Sequence, residues 1–220
     1  MKKGFTLTEV LITLGIIGVV AAMTIPTLIQ KSYEKHVISQ LRETQSILSQ
    51  AIKMAEEEYG DIDGWDFGIS ASKESNKLAG ERIIKYMKVA HICGVDADNK
   101  GQCTPENYDE KNGKSHNSVV NYRYSSMYKF VLNNGSSIYI HTPIERNNDY
   151  VGFYVDINGK SRPNKIGVDL FYFIYGLNAL RPLGAKDSNF PYERDCKTKN
   201  SIGWGCAYYV LNNQKMDYPH

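Results

Sequence analysis

From residue 5 to residue 29 nearly every position is apolar; Glu9 is the one charged residue in the run and Pro26 the one proline. Beyond it the pattern turns amphipathic. Ile29, Tyr33, Val37, Leu41, Leu48, Ile52, Ala55 and Tyr59 recur at mostly helical spacing, and Lys31, Glu34, Lys35, Gln40, Arg42, Glu43 and Lys53 occupy the other faces. Gly60 follows the last apolar position and predicts the stop. These signals predict one stem helix over residues 5–59, near 80 Å long if straight at about 1.5 Å per residue. Residues 61–75 are turn-rich, with Trp65 and Phe67 expected to plug the base of a domain. Residues 74–89 predict a second, shorter helix, apolar at Leu78, Ile83, Ile84 and Met87 and weakened by Gly80. Residues 91–118 read as polar and irregular.

From Val119 the period becomes strand-like. Strands are expected at 122–124, 128–132, 137–141, 150–157 and 168–175, with Asn133-Asn134-Gly135 as a hairpin turn. A last strand is expected near 207–210. The fold class that follows is α+β: a long N-terminal helix whose outer half packs on an antiparallel sheet. Residues 60–220 would form the globular domain, long enough for a core of its own.

Charge narrows the function classes. The net charge is +2 over 220 residues. No segment has the basic excess of a nucleic-acid footprint, so no nucleic-acid partner is indicated. The sixteen tyrosines suit half-buried strands, where the ring faces inward and the hydroxyl stays wet. Cys93, Cys103, Cys196 and Cys206 contain no Cys-x-x-Cys, which argues against a zinc knuckle or a thioredoxin-like motif. The simplest pairing is two local disulfides, Cys93–Cys103 and Cys196–Cys206, with the other two pairings left open. Such bonds predict an exported domain.

Residues 5–25 would span about 31 Å as a helix, close to the thickness of a bilayer's hydrocarbon core. Lys2 and Lys3 would keep the start of the chain on the cytoplasmic side. A cleaved secretory signal peptide ending near Val20-Ala21-Ala22 and a plain one-span anchor both leave Glu9 unexplained. An acid inside a membrane segment is by default a functional residue that needs a partner.

Met1 to Glu9 resembles the class III leader of type IV prepilins and type II secretion pseudopilins: a short basic leader, Gly4, then Phe5-Thr6-Leu7-Thr8-Glu9-Val10 running into the apolar helix. The resemblance implies a leader of residues 1–4, cut by prepilin peptidase between Gly4 and Phe5, and N-methylation of Phe5. It implies that Glu9 neutralises the terminal amine of a neighbouring subunit during assembly, and that Pro26 kinks or melts the stem, since it lacks the N–H that would bond back to Ala22. The implied partners are the peptidase, other pilin or pseudopilin subunits, an inner-membrane assembly platform and the membrane itself. The implied location is a single-pass inner-membrane protein with a periplasmic domain, later part of a pilus or pseudopilus. The size of the domain leans toward a minor subunit. A non-polymerising, membrane-anchored binding protein is the alternative.

The loop from Asp156 to Asp169 resembles a motif recurrent in pilin-like proteins: Asp-x-Asn-Gly, then Pro-Asn, Gly and Asp. It is read first as a tight turn in which Asn and Asp cap backbone groups and Pro163 fixes the bend. In the alternative reading Asp156, Asn158, Asn164 and Asp169 offer oxygens to a hard cation such as calcium, against the opposing charges of Lys160, Arg162 and Lys165. Asp96, Asp98 and Asn99 are read as a solvated loop rather than a calcium loop, and His91 beside Cys93 as a bystander rather than a metal ligand. The chain lacks the metalloprotease, nucleophile-elbow, P-loop and dinucleotide motifs, so neither an enzyme nor a cofactor beyond structural calcium is expected.

Overall fold

The computed structural model describes residues 4, 6–67, 72–96, 101–116, 125–142 and 151–219. The expectations at Met1–Lys3, Phe5, Asp98, Asn99, Val119, Tyr122–Tyr124 and Tyr150 lie outside these residues. The chain divides into two compact units, Met1–Val37 and Ile38–His220.

Helix α1 runs Leu7–Tyr59 with Pro26 inside it. In the first unit the helix has an apolar run, and Leu7, Leu11, Ile17, Met23 and Ile29 are all exposed. The hydroxyls within it turn back on their own helix: Thr13 Oγ1 donates to the Val10 carbonyl at 2.9 Å and Thr24 Oγ1 to the Val20 carbonyl at 2.9 Å. That satisfaction lets polar side chains sit in an apolar segment. The helix runs on through Pro26.

The second unit begins on the amphipathic half of α1. Leu41, Thr44, Leu48, Ala51 and Ala55 are buried, three to four residues apart, with Ile52 beside them. Gly60 ends the helix as expected: its φ is +79° and its N–H donates to the Glu56 carbonyl at 2.9 Å. A 3₁₀ turn, Ile62–Gly64, then swings Trp65 inward, where its Nε1 donates to the Gly60 carbonyl at 2.8 Å.

Helix α2 runs Lys73–Ile84 and is closed by a capping box between Ser72 and Ser75. Six strands follow: β1 Val89–Gly94, β2 Tyr128–Leu132, β3 Ser137–His141, β4 Val151–Asp156, β5 Leu170–Gly176 and β6 Ala179–Pro182. They form one antiparallel meander in chain order. Phe130, Ile138, Val155 and Phe171 stand opposite one another across four strands and are buried together. Gln40 of α1 ties the helix to the sheet, its Nε2 donating to the carbonyls of Asn134 and Ile157 and to Ser136 Oγ.

Four elements differ from expectation. Helix α2 stops at Ile84, and Val89–Gly94 is a strand rather than loop. As an edge strand with exposed Ala90, His91 and Ile92, β1 has no apolar alternation to read. Strand β6 was not expected because its hairpin turns on Leu177 and Asn178, both at positive φ, where glycine is the usual signal. The expected last strand is a helix: α4 runs Cys206–Asn213 after a single turn α3, Tyr192–Asp195. Tyr208, Tyr209 and Val210 have strand propensity, but Cys206, Ala207, Tyr209 and Val210 bury on one helical face.

Candidate functional site

Two places carry chemistry beyond packing. The first is the start of α1. Gly4 is exposed and precedes the helix, which opens at Leu7. Thr6 and Glu9 form a reciprocal box: the Thr6 N–H and hydroxyl donate to Glu9 Oε2 at 2.8 and 2.7 Å, and the Glu9 N–H donates to Thr6 Oγ1 at 3.3 Å. The Glu9 carboxylate is therefore held on its own chain, folded back onto Thr6. Thr6 was not singled out from the sequence, although Thr-x-x-Glu ahead of an apolar run is a legible capping signal.

The second place is the loop between β4 and β5. The four residues read as oxygen donors do meet there. Asp156 and Asp169 are both fully buried. Asp156 accepts from the Asn158 N–H at 3.2 Å and from the Tyr108 hydroxyl, which also bonds the Tyr139 hydroxyl at 2.8 Å. Asp169 accepts from the N–H groups of Asn164 and Lys165 at 2.7 and 2.6 Å, and the Asn158 side chain also bonds it. Burial, and then repulsion from Asp169, holds the Asp156 carboxyl well above the usual carboxylate range. Burial likewise pushes Asp169 up to about 6, against the pull of its backbone donors. Among the described residues, Asn158 Oδ1 and Asn164 Oδ1 are buried without a hydrogen-bond partner.

Two crowded carboxylates and two orphaned amide oxygens form an oxygen-only donor set. They fit a hard cation in chemistry and in unmet need. The capped turn is present too, since Asp169 takes two backbone N–H groups. The sequence signalled the four donors, but Tyr108 and Tyr139 reach Asp156 only through the fold.

The cysteines pair locally, Cys93 with Cys103 and Cys196 with Cys206. His91, Cys93 and Cys103 place ligand atoms within 4.8 Å of one another, but both sulfurs are spent on their mutual bond. Asp96 is exposed, 3.5 Å from Lys73 Nζ. Glu57 and Glu58 are exposed, Glu58 bonding Lys85 and Tyr86, and Glu56 accepts from the Tyr175 hydroxyl at 2.6 Å.

A family model described as a family of unknown function (DUF6613) matches residues 27–217. A second, the prokaryotic N-terminal methylation motif, matches residues 1–25. No curated protein and no solved structure matches the chain.

Proposed function

The chain belongs to the DUF6613 family and opens with a type IV pilin-like class III leader on a pilin-like α+β fold, and we propose that it is a fibre subunit assembled through its stem helix. The motif makes it a prepilin-like, peptidase-processed, membrane-anchored protein. The finer reading is that cleavage falls between Gly4 and Phe5, that Phe5 is then methylated, and that an assembly platform draws the helix from the inner membrane into a bundle of related stems. A place as a minor subunit of a pilus or secretion pseudopilus belongs to the same reading.

The observation that carries this reading is Glu9, an acid at the head of an apolar helix face that its own unit leaves exposed. An unpartnered charge in a bilayer costs about 2.5–3.5 kcal/mol at the centre of a span and less near its end. The Thr6 donors lower that cost while the subunit waits. On assembly the terminal ammonium of a neighbour replaces them, which turns a tolerated carboxylate into an ion pair in apolar surroundings. Glu9→Gln tests this: cleavage should proceed and incorporation into fibres should fall at least tenfold. Unchanged incorporation would favour the non-polymerising anchored binder.

We also propose that Asp156, Asn158, Asn164 and Asp169 hold a structural calcium ion. The ion would neutralise two buried acids and give the two orphaned oxygens a partner. Calcium titration by calorimetry should show one site, lost in Asp169→Asn. No heat of binding, with the fold intact, leaves the capped turn as the whole account.

A further inference from the structure

The calcium reading leaves open what the loop is for. The C-terminal lobe, residues 195–219, is built on it. The Tyr218 hydroxyl donates to the Gly167 carbonyl at 2.6 Å in the interior. Gly167 itself, at φ +77°, lies so close to the lobe that a Cβ there would stand 2.8 Å from the Gly203 carbonyl oxygen and 3.0 Å from Cys206 Sγ. A third segment binds both partners. Asp109 donates its N–H to the Asn164 carbonyl at 2.9 Å and accepts from the Ile166 N–H at 2.8 Å. Two residues on, Lys111 donates its N–H to the Ile202 carbonyl at 2.8 Å and its ammonium to the carbonyls of Thr198 and Pro219 at 2.7 and 2.9 Å. Besides its bonds elsewhere, from the Tyr208 N–H to the Leu183 carbonyl at 3.0 Å and from Arg42 to the Leu211 carbonyl at 3.1 Å, the lobe bonds Gly167, and the segment around Asp109 bonds Asn164 and Ile166. These three loop residues lie at or between Asn164 and Asp169, two of the four oxygen donors.

We propose that the β4–β5 loop is a cation-operated clasp: a divalent cation gripped by Asn164 and Asp169 at either end of this short arc fixes Ile166 and Gly167 and thereby docks the C-terminal lobe. The inference rests on the calcium reading and adds a consequence to it. With the ion bound, the arc is held at both ends and Gly167 meets Tyr218, Gly203 and Cys206 in register. Without it, the Asp169 carboxylate grips the arc only through its two backbone bonds, and the anchor of Tyr218 loosens. The Cys196–Cys206 bond keeps the lobe's own loop closed in either state, so the clasp governs docking rather than the lobe's internal fold.

Hydrogen exchange of the full chain in detergent, with calcium at about a hundred times its dissociation constant or with a chelator, tests the clasp. Calcium should slow exchange about a hundredfold both in the loop and at the lobe's amides, including Gly203, Gly205 and Cys206. Tyr218→Phe removes the hydroxyl that bonds Gly167 and little else. In that variant calcium should still protect the loop, while protection of the lobe falls about fivefold. Protection confined to the loop in the wild-type chain overturns the clasp and leaves the calcium site standing. No calcium-dependent protection anywhere overturns both.

Discussion

Replacing Gly80 with alanine sets two opposed effects of known size against each other. Gly80 sits in the interior of α2, where alanine favours the helix by about 1 kcal/mol. A solvated helix would gain that much. But a Cβ at this position would stand 2.2 Å from both Cγ and Cδ1 of Tyr128, well inside contact distance. Tyr128 is 3 % exposed on β2, with its ring 6.3 Å from that of Phe130, so it has little room to yield. Overpacking of this kind costs about 1–3 kcal/mol, and an overlap this deep takes the upper end. The net is a destabilisation of about 2 kcal/mol, read as a fall in melting temperature of roughly 4–8 °C for a domain of this size. Thermal unfolding followed by near-ultraviolet circular dichroism measures it. Gly64→Ala, where an added Cβ meets nothing within 4 Å, is the control and should change little. Tyr128→Leu should relieve the overlap, so the double variant should lose less than the two single losses combined. A Gly80→Ala chain that melts at or above the wild-type temperature refutes the reasoning, because helix propensity would then have outweighed the contact.

Two further outcomes follow from the buried polar groups. His141 Nε2 lies 2.7 Å from the Tyr172 hydroxyl and Nδ1 3.2 Å from the Thr142 carbonyl, and burial holds its pKa below the usual 6.5. The unfolded chain takes up this proton first, so stability should be full above pH 6.5 and fall as the pH drops below it; denaturant titrations at stepped pH should lose that part of the slope in His141→Gln. Gln40→Met deletes the amide that serves Asn134, Ser136 and Ile157, leaving buried carbonyls short of a donor. A stability loss of about 1–3 kcal/mol, read from denaturant unfolding, is expected, and no loss would show that the Gln40 amide adds nothing to the hold of α1 on the sheet.

What was legible in the sequence depended on how local each signal was. The end of α1 could be read because one glycine sits where a 3.6-residue pattern stops. The β2–β3 hairpin could be read because Asn134-Gly135 fixes its turn within a few residues. Strand β1 could not, since its exposed side chains follow no period and its place in the sheet comes from pairing with β2, more than thirty residues on. Helix α4 could not either: a short run rich in tyrosine and valine has ambiguous propensity, and only the face it buries decides the matter. At the loop, Asp156, Asn158, Asn164 and Asp169 were visible as oxygen donors, but their burial, the tyrosine pair above Asp156 and the two orphaned oxygens are products of tertiary packing. Glu9 stands out for its charge, whereas Thr6 is one of several threonines in the same run, and its bond to Glu9 depends on where the helix opens.

The central claim is that the first four residues are a processed leader and Glu9 an assembly charge. The mass of the mature N-terminal peptide, isolated from cells that express prepilin peptidase, tests it most directly. The mature peptide should begin at Phe5 and carry one added methyl group. A chain that retains Met1–Gly4, or one that begins after Ala22, would contradict it.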